Sequence, residues 1–296
     1  MNKFSISAFL ISFNDLNNIT NAINCIYNQT EKPTQFLIVD NSFSDTISSY
    51  CHNNNINCYK VGFNSGPAGG ASIALELLAK SNPNWIYWGD DGDPPVDPDT
   101  FKKLLEIAYE NPSAGVIGKL GGKFISYRAR TRVFGNSELS PIVEADYVTG
   151  GKQMIVSADV VKAGILPDPK LFFGFEELEF CLRVKDAGFK ILVDGDGISE
   201  ARHKAGNFDK TYRWKGKSMG DFSRVNRQYY SVRNMLYILW SRGHYFGYGF
   251  FLLKNLIKIP VSIRYGTSYF IKFSKLTLIA IYHQWIGRYG QYIPTR

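Results

Sequence analysis

The stretch that decides the fold reads Trp85-Ile-Tyr-Trp-Gly-Asp-Asp-Gly-Asp-Pro-Pro95. It begins as a short apolar run, which is typical of a buried strand. Three carboxylates, Asp90, Asp91 and Asp93, follow in a turn that two prolines stiffen. The D-x-D spacing of Asp91 and Asp93 suits a hard divalent cation that also takes oxygens from a bound diphosphate. Without a cation, three neighbouring negative charges would repel one another. The alternative is an acidic surface turn that caps the next helix.

Around this stretch, short apolar runs alternate with segments of helical periodicity. The alternation predicts an α/β fold with a doubly wound, mostly parallel sheet. Ligands bind such sheets beyond the C-terminal ends of the strands, where Asp40, residues 64–70 and the Asp cluster all fall. The predicted strands cover residues 5–13, 35–39, 57–61, 85–88, 114–117, 143–148, 154–156 and 191–193, and the predicted helices cover residues 16–27, 47–55, 71–80, 101–109, 158–163 and 177–185.

Charge is spread unevenly along the 296 residues. From Lys204 to the C-terminus, 16 Lys and Arg face two Asp, a net charge of +14, whereas the rest of the chain carries −6. We therefore predict a globular domain over residues 1–210 and a basic helical extension over residues 211–296. A basic, aromatic-rich segment of this kind binds an anionic membrane surface or nucleic acid. Because 45% of residues are hydrophobic and 20% are charged, the composition excludes a disordered chain.

The extension carries apolar residues at helical spacing beside lysines, first up to Pro260, which we expect to end a helix, and then again later. Its longest uncharged runs, residues 243–253 and 276–287, are shorter than the roughly 18 residues needed to span a bilayer. The pattern therefore predicts an interfacial helix, peripheral on the inner face of the cell membrane. The alternative is packing on the domain or a dimer contact. The recurring apolar residues are Phe250, Leu253, Leu256 and Ile257, then Phe270, Phe273 and Leu276.

The four cysteines form no C-x-x-C pair and match no zinc-ligand spacing. We interpret them as reduced thiols, which predicts a cytoplasmic protein. The alternative is a bridge between Cys51 and Cys58, which only an oxidising compartment would allow.

A second acidic cluster consists of Glu176, Glu177 and Glu179, in and just after an aromatic stretch. A carboxylate beside aromatic surface tends to have a raised pKa, which suits a general base. The alternative is the acidic first turn of a helix, which the helix dipole favours.

A glycine-rich turn contains Asn64, Gly66, Gly69 and Gly70 and leads into a predicted helix start. Free backbone N–H groups at such a start can face phosphates or a sugar, although a plain loop fits the sequence equally well. His203 follows the last predicted strand and becomes a candidate metal ligand if the chain returns there to the Asp cluster.

Together these pieces resemble the inverting family 2 glycosyltransferases of the GT-A fold, including rhamnosyl- and galactofuranosyltransferase-like members. The resemblance covers about residues 5–240, and the joint order of its segments is more specific than any one of them. The segments are Gln29, the Val39-Asp40-Asn41-x-Ser-x-Asp-x-Thr46 segment, the turn Asn64-x-Gly66-x-x-Gly69-Gly70, Asp91 with Asp93, Tyr147-Val-Thr149-Gly150-Gly151, the Phe173-x-x-Glu176-Glu177-x-Glu179-x-x-x-Arg183 element and Tyr229-Tyr230-x-x-Arg233-Asn234.

The resemblance implies single-displacement transfer of a hexose from a nucleotide-sugar, with UDP favoured, to a hydroxyl of a glycan or lipid-linked acceptor in cell-surface polysaccharide synthesis. It implies Mn²⁺ or Mg²⁺ held by Asp91 and Asp93, with His203 as a further candidate. Because the cluster reads Asp-Asp-Gly-Asp, either Asp90 or Asp91 could be the first member of the motif. Glu177 or Glu176 would be the base, because this sequence has Glu where the family motif has Asp. The donor-side residues would be Asp40, which would bind the nucleotide base, with Asn41, Asn64, Gly66, Gly69, Gly70 and Asp90.

Two other classes of protein stay open. A metal-dependent nucleotidyltransferase would need a glycine-rich loop with a basic residue after the first strand, and residues 11–15 supply neither. A non-catalytic protein that binds a membrane or nucleic acid would leave the acidic clusters without a role. We expect no nucleic-acid partner, and a homo-oligomer is left open.

Overall fold

The computed structural model describes residues 4–149, 153–206 and 220–293. Within these ranges the strands are β1 (Ile6–Ser12), β2 (Phe36–Asp40), β3 (Cys58–Lys60), β4 (Trp85–Asp90), β5 (Ala114–Gly118), β6 (Gly121–Ile125), β7 (Arg130–Val133), β8 (Ile142–Glu144), β9 (Tyr147–Val148), β10 (Met154–Ser157) and β11 (Lys190–Asp194). The helices are α1 (Leu16–Tyr27), α2 (Thr46–Asn53), α3 (Gly66–Ala79), α4 (Thr100–Glu110), α5 (Ala158–Lys162), α6 (Glu176–Asp186), α7 (Gly195–Lys204), α8 (Val225–Ser241), α9 (Tyr245–Val261) and α10 (Thr267–Trp285).

A mostly parallel sheet forms the centre of the described part of the chain. Its eight strands lie in the order β3-β2-β1-β4-β10-β5-β11-β8, and β10 and β8 run antiparallel to their neighbours. Strands β1, β2 and β4 are buried almost throughout, because separate hydrophobic clusters cover the two faces of the sheet. Continuous apolar runs suit such doubly covered strands. The predicted α/β class, with its mostly parallel sheet and helical C-terminal part, is confirmed.

The register of the central strands brings their polar ends into one row. Ser12 of β1 pairs with Asp40 of β2, and Ile11 of β1 pairs with Asp90 of β4. Because these strands are parallel, the residues that follow each of them emerge at the same edge of the sheet.

The single strand predicted over residues 143–148 is wrong, because the chain passes there from one sheet to another. The amide of Ala145 donates to the carbonyl of Ile191 in β11 at 2.8 Å, and the amide of Asp146 donates to the carbonyl of Gly122 in β6 at 2.8 Å. Strand β8 therefore joins the large sheet, and β9 joins a three-stranded sheet in the order β7-β6-β9. The sequence analysis predicted neither β6 nor β7.

Helix α3 begins at Gly66 rather than at residue 71. The glycine-rich segment is therefore the first turn of a helix rather than a loop before one. Pro67 stands in that first turn, where its missing N–H costs no intrahelical hydrogen bond.

Helices α8 and α10 pack against each other around a cluster that includes Tyr229, Tyr230, Phe273 and Leu276. Phe273 is 2% exposed and Leu276 is 6% exposed. The prediction that these two residues face a membrane is wrong, because they supply the inner face of α10. Pro260, expected to end its helix, lies inside the last turn of α9, which ends one residue later.

One helical stretch among the described residues, Tyr245–Tyr265, is long and apolar enough to cross a membrane by length and composition alone. It has 21 residues and a mean hydropathy of 1.2, and 17% of its most apolar window is buried in the protein. The expectation, drawn from uncharged runs, that no segment reaches spanning length is therefore wrong. The predicted division at residue 210 and the glycines Gly150 and Gly151 lie outside the described residues.

Candidate active site

The Asp cluster lies in the turn that leaves β4, and its members have different partners. Asp91 is 8% exposed, and its Oδ2 accepts a hydrogen bond from Oγ of Ser12 at 2.9 Å. Asp90 uses Oδ1 to accept the backbone N–H groups of Gly92 at 2.9 Å and Asp93 at 3.0 Å. Asp90 thus closes the turn, Asp91 is held against β1, and Asp93 lies partly exposed after them.

The loop that follows the turn is held by Gln29, which lies two residues beyond the end of α1 and is fully buried. Its Nε2 donates to the carbonyls of Pro95 at 2.8 Å and Asp97 at 3.0 Å, while its Oε1 accepts the N–H of Phe101 at 3.1 Å. One side chain therefore ties the end of α1 to the start of α4 and fixes the exit of the Asp turn.

The donor-side candidates Asp40 and Asn41 lie at the end of β2 and are both buried. Asp40 Oδ1 accepts the N–H of Ser42 at 2.8 Å, whereas its Oδ2 has no hydrogen-bond partner among the described residues. Buried carboxylate oxygens are normally hydrogen-bonded, so this atom is an acceptor that a ligand could use. Asn41 connects β2 to α3, since its Nδ2 donates to the carbonyl of Gly66 at 3.1 Å and its Oδ1 accepts from Ser65 Oγ at 2.7 Å.

The glycines of α3 allow the first turn of this helix to lie close to the ends of β1 and β2. Gly66 has φ +71°, and a Cβ there would lie 2.2 Å from the carbonyl oxygen of Phe172. A Cβ on Gly70 would lie 3.0 Å from Ile11 Cγ2 and 3.2 Å from Asn41 Nδ2. The first turn of α3 is thus packed tightly onto the end of β1. Gly69 would instead meet the side chain of Ser65, and Asn64 Oδ1 accepts the N–H of Gly66 at 3.0 Å.

The second acidic cluster begins helix α6. Glu176 is 4% exposed, and its Oε2 has no hydrogen-bond partner among the described residues. Burial, helped by the charge of Asp90, raises the pKa of Glu176 to about 7. Glu177 is half-buried, and its pKa is raised well above the ordinary value by desolvation and then by the charges of Glu176 and Asp90. The charge of Asp90 contributes to both shifts, so the two acidic clusters lie within electrostatic reach of each other.

Glu179, the third acid of this cluster, has a structural role. Its carboxylate accepts two hydrogen bonds from Arg183, at 2.6 and 2.7 Å, and Arg183 also donates to the carbonyl of Leu166 at 2.6 Å. This bidentate pair fixes α6 to the preceding loop and leaves Glu176 and Glu177 as the candidates for proton transfer.

The donor set fits a divalent cation that a substrate helps to hold. Asp91 and Asp93 offer hard oxygen ligands, and Mg²⁺ is typically bound by one or two carboxylates together with substrate phosphates and water. No group of three or more His, Cys, Asp or Glu could hold a metal ion on its own within the described ranges. His203 lies exposed in the last turn of α7, and its assignment as a ligand stays a prediction.

Sequence reasoning assigned no role in the site to four polar residues that support it. Ser12 and Ser65 donate to the candidate residues themselves, and only the polar ending of an apolar strand distinguished Ser12. Arg233 and Asn234 were noted only within a family resemblance, and their contacts are made with a loop about 60 residues away in the chain.

We expect Glu176→Gln to stabilise the protein at pH 8. A folded-state pKa of about 7, above the ordinary 4.5, means that the folded chain binds more protons than the unfolded chain between those values. Stability therefore falls as pH rises through this window. A neutral Gln avoids that loss, which is on the order of 1–3 kcal/mol. Urea unfolding at pH 8 and pH 4, without cation or nucleotide, measures the effect.

The gain should vanish at pH 4, where Glu176 is protonated in both states. Glu110→Gln, on the exposed end of α4, is the matched control and should change little at either pH. An equal gain at both pH values would show that packing, rather than ionisation, causes it.

Comparison with known proteins agrees with this geometry. The family model described as "Glycosyl transferase family 2" matches residues 7–154, half of the chain. A comparison with curated protein sequences gives no match.

Solved structures show the same fold at low sequence identity. The mannosyltransferase PcManGT from Pyrobaculum calidifontis, in complex with GDP-Man and Mn²⁺, is 10% identical with a TM-score of 0.55, and the match covers 97% of this chain and 88% of that one. S. aureus TarS 1–349 is 14% identical with a TM-score of 0.51, over 99% and 95% of the two chains. GalNAc-T7 with UDP, GalNAc and Mn²⁺ is 13% identical with a TM-score of 0.53, over 66% of this chain and 43% of that longer one.

Proposed function

The chain belongs to glycosyl transferase family 2, and on that basis we propose that it is an inverting, metal-dependent hexosyltransferase. Its donor is a nucleotide-sugar, with UDP the favoured nucleotide, and its acceptor is a hydroxyl of a glycan or lipid-linked glycan in cell-surface polysaccharide synthesis. The observation that carries the proposal is the placement of Asp40 and the Asp turn at one edge of the sheet, with the charge of Asp90 acting on the glutamates of α6. The complexes of similar folds with UDP, GDP-Man and Mn²⁺ support a nucleotide-sugar and a cation.

The residues at this edge of the sheet have different roles in a single displacement. Asp40 Oδ2 accepts a hydrogen bond from the nucleobase, and Asn41 keeps the first turn of α3 beside it. Asp91 and Asp93 would hold Mn²⁺ or Mg²⁺. The cation, when bound, stabilises the negative charge of the departing nucleotide.

Helix α6 supplies the residue that removes the proton from the acceptor hydroxyl. Glu177 is the glutamate that solvent, and hence an acceptor, can reach, whereas Glu176 is 4% exposed. A raised pKa makes a carboxylate a better base. Glu177 therefore takes the proton of the acceptor hydroxyl as that oxygen attacks the anomeric carbon from the face opposite the diphosphate.

A donor screen tests the function directly. Purified protein with Mn²⁺ is incubated with UDP-, GDP- and dTDP-sugars, and thermal shift and slow donor hydrolysis are recorded for each. We expect one nucleotide-sugar class to raise the melting temperature and to release its nucleotide. If instead nucleoside triphosphates with sugar phosphates release pyrophosphate, the chain is a nucleotidyltransferase.

We further propose that the protein binds an anionic membrane at the cytoplasmic face through α9 and α10. Each helix exposes a stripe of large apolar side chains at helical spacing. The two helices touch where Trp285 Nε1 donates to Tyr248 OH at 2.7 Å, and we propose that the stripes form one surface. Exposed lysines, among them Lys254 and Lys275, adjoin it. We call this the apolar stripe, and its members are Phe246, Phe250, Leu253 and Ile257 of α9 and Leu278, Tyr282 and Trp285 of α10.

The contacts of α9 favour binding in the membrane plane over spanning. Its inner face packs on the protein, since Gly247 lies against the carbonyl of Ser126 and the buried Asn255 accepts a hydrogen bond from Gln228 of α8. Lys254 and Lys258 would stand mid-way through a spanning helix, where charge is costly. An interfacial helix buries one apolar face and leaves its lysines at the headgroups.

We expect the full chain to co-sediment with vesicles that contain anionic lipid and to be released by high salt. Phe246→Glu together with Leu253→Glu should reduce binding by at least ~10-fold, because each change replaces a large exposed apolar side chain, which would enter the membrane interface, by a charged one. Tyr109→Glu, on an exposed face of α4, is the matched control.

Alkaline carbonate separates the alternatives. Release by carbonate fits binding in the plane, whereas protein that stays in the pellet would show that residues 245–265 span. If the full chain ignores anionic vesicles at low salt, the apolar stripe is an assembly surface and a lipid-linked acceptor loses its support.

A further inference from the structure

The loop that leads into α6 holds an unusual backbone conformation. Phe172 has φ +60° and Phe175 has φ +69°, with Gly174 at +84° between them. Residues with side chains rarely adopt positive φ, and they keep it only where surrounding contacts impose it. Phe175 is the residue directly before Glu176, so its conformation sets the direction in which the two glutamates enter the site.

The contacts that impose this conformation come from Asn234 of α8, which is fully buried. Its Nδ2 lies within hydrogen-bond distance of three carbonyl oxygens of the loop, those of Leu171 at 2.9 Å, Phe173 at 3.0 Å and Gly174 at 2.8 Å. The side-chain amide nitrogen of Asn carries only two hydrogens that it can donate, so the three carbonyls share these two donors. The side chain of Asn234 thus holds most of the curved loop before α6 through hydrogen bonds.

Arg233, also fully buried, orients that amide. Its Nε donates to Asn234 Oδ1 at 3.0 Å, which turns the amide nitrogen towards the loop. Its second terminal nitrogen, Nη2, donates to the carbonyl of Leu171 at 3.0 Å and reaches that of Lys170 at 3.3 Å. Arg233 and Asn234 therefore act together, and we call the pair the loop clamp.

The charge of Arg233 is satisfied without an ion pair among the described residues. Tyr229 OH and the carbonyl of Gly290 accept from Nη1 at 3.2 and 2.8 Å, and the rings of Tyr229, Tyr230 and Tyr289 lie 5.1–5.7 Å from the guanidinium carbon. A buried cation without a carboxylate is a poor source of stability. Its defined hydrogen bonds instead specify one conformation of the loop.

We propose that Arg233 and Asn234 are positioning residues, which hold residues 170–175 so that Glu177 meets the acceptor hydroxyl. The inference rests on the proposed role of Glu177. The clamp touches neither Asp40 nor the Asp turn, and the loop that it holds meets the donor side only where Phe172 packs on the first turn of α3. We therefore expect its larger effect on the chemical step. A shift of about 1 Å in a reacting group can cost ~10²-fold in rate.

The test compares Asn234→Asp with Asn255→Asp. Both replace a buried amide by a carboxyl of the same shape, but Asn255 donates to the carbonyl of Phe251 within α9 and does not contact the loop. We expect Asn234→Asp to lower kcat for transfer at least ~10-fold with the donor KM changed less than ~3-fold. Asn255→Asp should keep kcat even if its melting temperature falls by as much.

Amide hydrogen exchange of residues 170–177 gives a readout that needs no turnover. Exchange should rise in Asn234→Asp and stay unchanged in Asn255→Asp. If Asn234→Asp fails to fold, Arg233→Lys, which keeps the charge and loses the fork, takes its place with the same expectations.

Two results would overturn the inference. Equal kcat losses in the Asn234 and Asn255 variants would make the clamp a stability element only, and unchanged exchange in the loop would show that the clamp does not hold it. Wild-type protein that transfers no sugar from any nucleotide donor would instead refute the proposed function, while the exchange result still decides whether the loop is held.

Discussion

Asp93→Asn is expected to lower sugar transfer by at least ~10³-fold, because a cation that stabilises the leaving diphosphate supplies several kcal/mol. Asn keeps the shape of the side chain but removes one negative charge from the proposed ligand pair. Asp93 is partly exposed in a turn that Asp90 closes through its own carboxylate, so the fold should survive. The measurement is initial transfer rate over a range of Mn²⁺ concentrations, with the melting temperature recorded beside it.

Asp97→Asn is the matched control, since it makes the same change four residues further along the same loop. Asp97 pairs with Lys103 at 2.8 Å, and that hydrogen bond lowers the pKa of its carboxyl. A variant that keeps transfer within a few-fold would show that the loss at Asp93 is specific. Full turnover of the wild type in excess EDTA would contradict the cation site altogether.

Much of the sheet could be predicted because burial on both faces leaves a simple signal. The runs that became β1, β2 and β4 are nearly all apolar, and polar residues mark where each one ends. Helix α1 was predicted with its observed limits, since Ile19, Ala22, Ile23 and Ile26 share one buried face and Asp15 caps the first turn by accepting the N–H of Asn18 at 3.0 Å.

The rest depends on contacts that are distant in sequence. Strands β6 and β7 carry glycines and arginines instead of an apolar run, and only pairing with each other and with β9 makes them strands. The start of α3 was missed because glycine and proline are typical of loops, while here they allow packing on Ile11. On α10, two apolar faces compete, and only packing against α8 shows which one is buried.

The candidate site, too, could be predicted only where its residues are close together in the sequence. The Asp turn and the α6 glutamates could be named from local sequence, but their meeting could not, because it needs the parallel register and the curved loop before α6. The loop clamp could not be predicted from local sequence at all. Arg233 and Asn234 look like ordinary polar residues of a helix until the carbonyls that they bind are brought to them.

Glu177→Gln should cost ~10²- to 10⁴-fold in kcat, the usual contribution of a general base. Gln has nearly the same shape but cannot accept the hydroxyl proton. Donor binding should persist, because the nucleotide side of the row is built from β1, β2 and the Asp turn. The measurement is single-turnover transfer at saturating donor and Mn²⁺, with donor affinity determined separately.

The dependence on pH distinguishes this role from a merely structural one. Desolvation and the charges of Glu176 and Asp90 raise the pKa of Glu177, so its reactive anion is lost at a pH above the ordinary 4.5 of a glutamate. Wild-type kcat should therefore fall on the acid side already above that value, and the residual rate of Glu177→Gln should lack this limb.

Glu176→Gln provides the comparison. Its side chain is 4% exposed, and it should lose less activity because the acceptor approaches from solvent, where Glu177 is reachable. If Glu176→Gln is the more damaging change, the acceptor reaches the buried carboxyl and the two roles are exchanged.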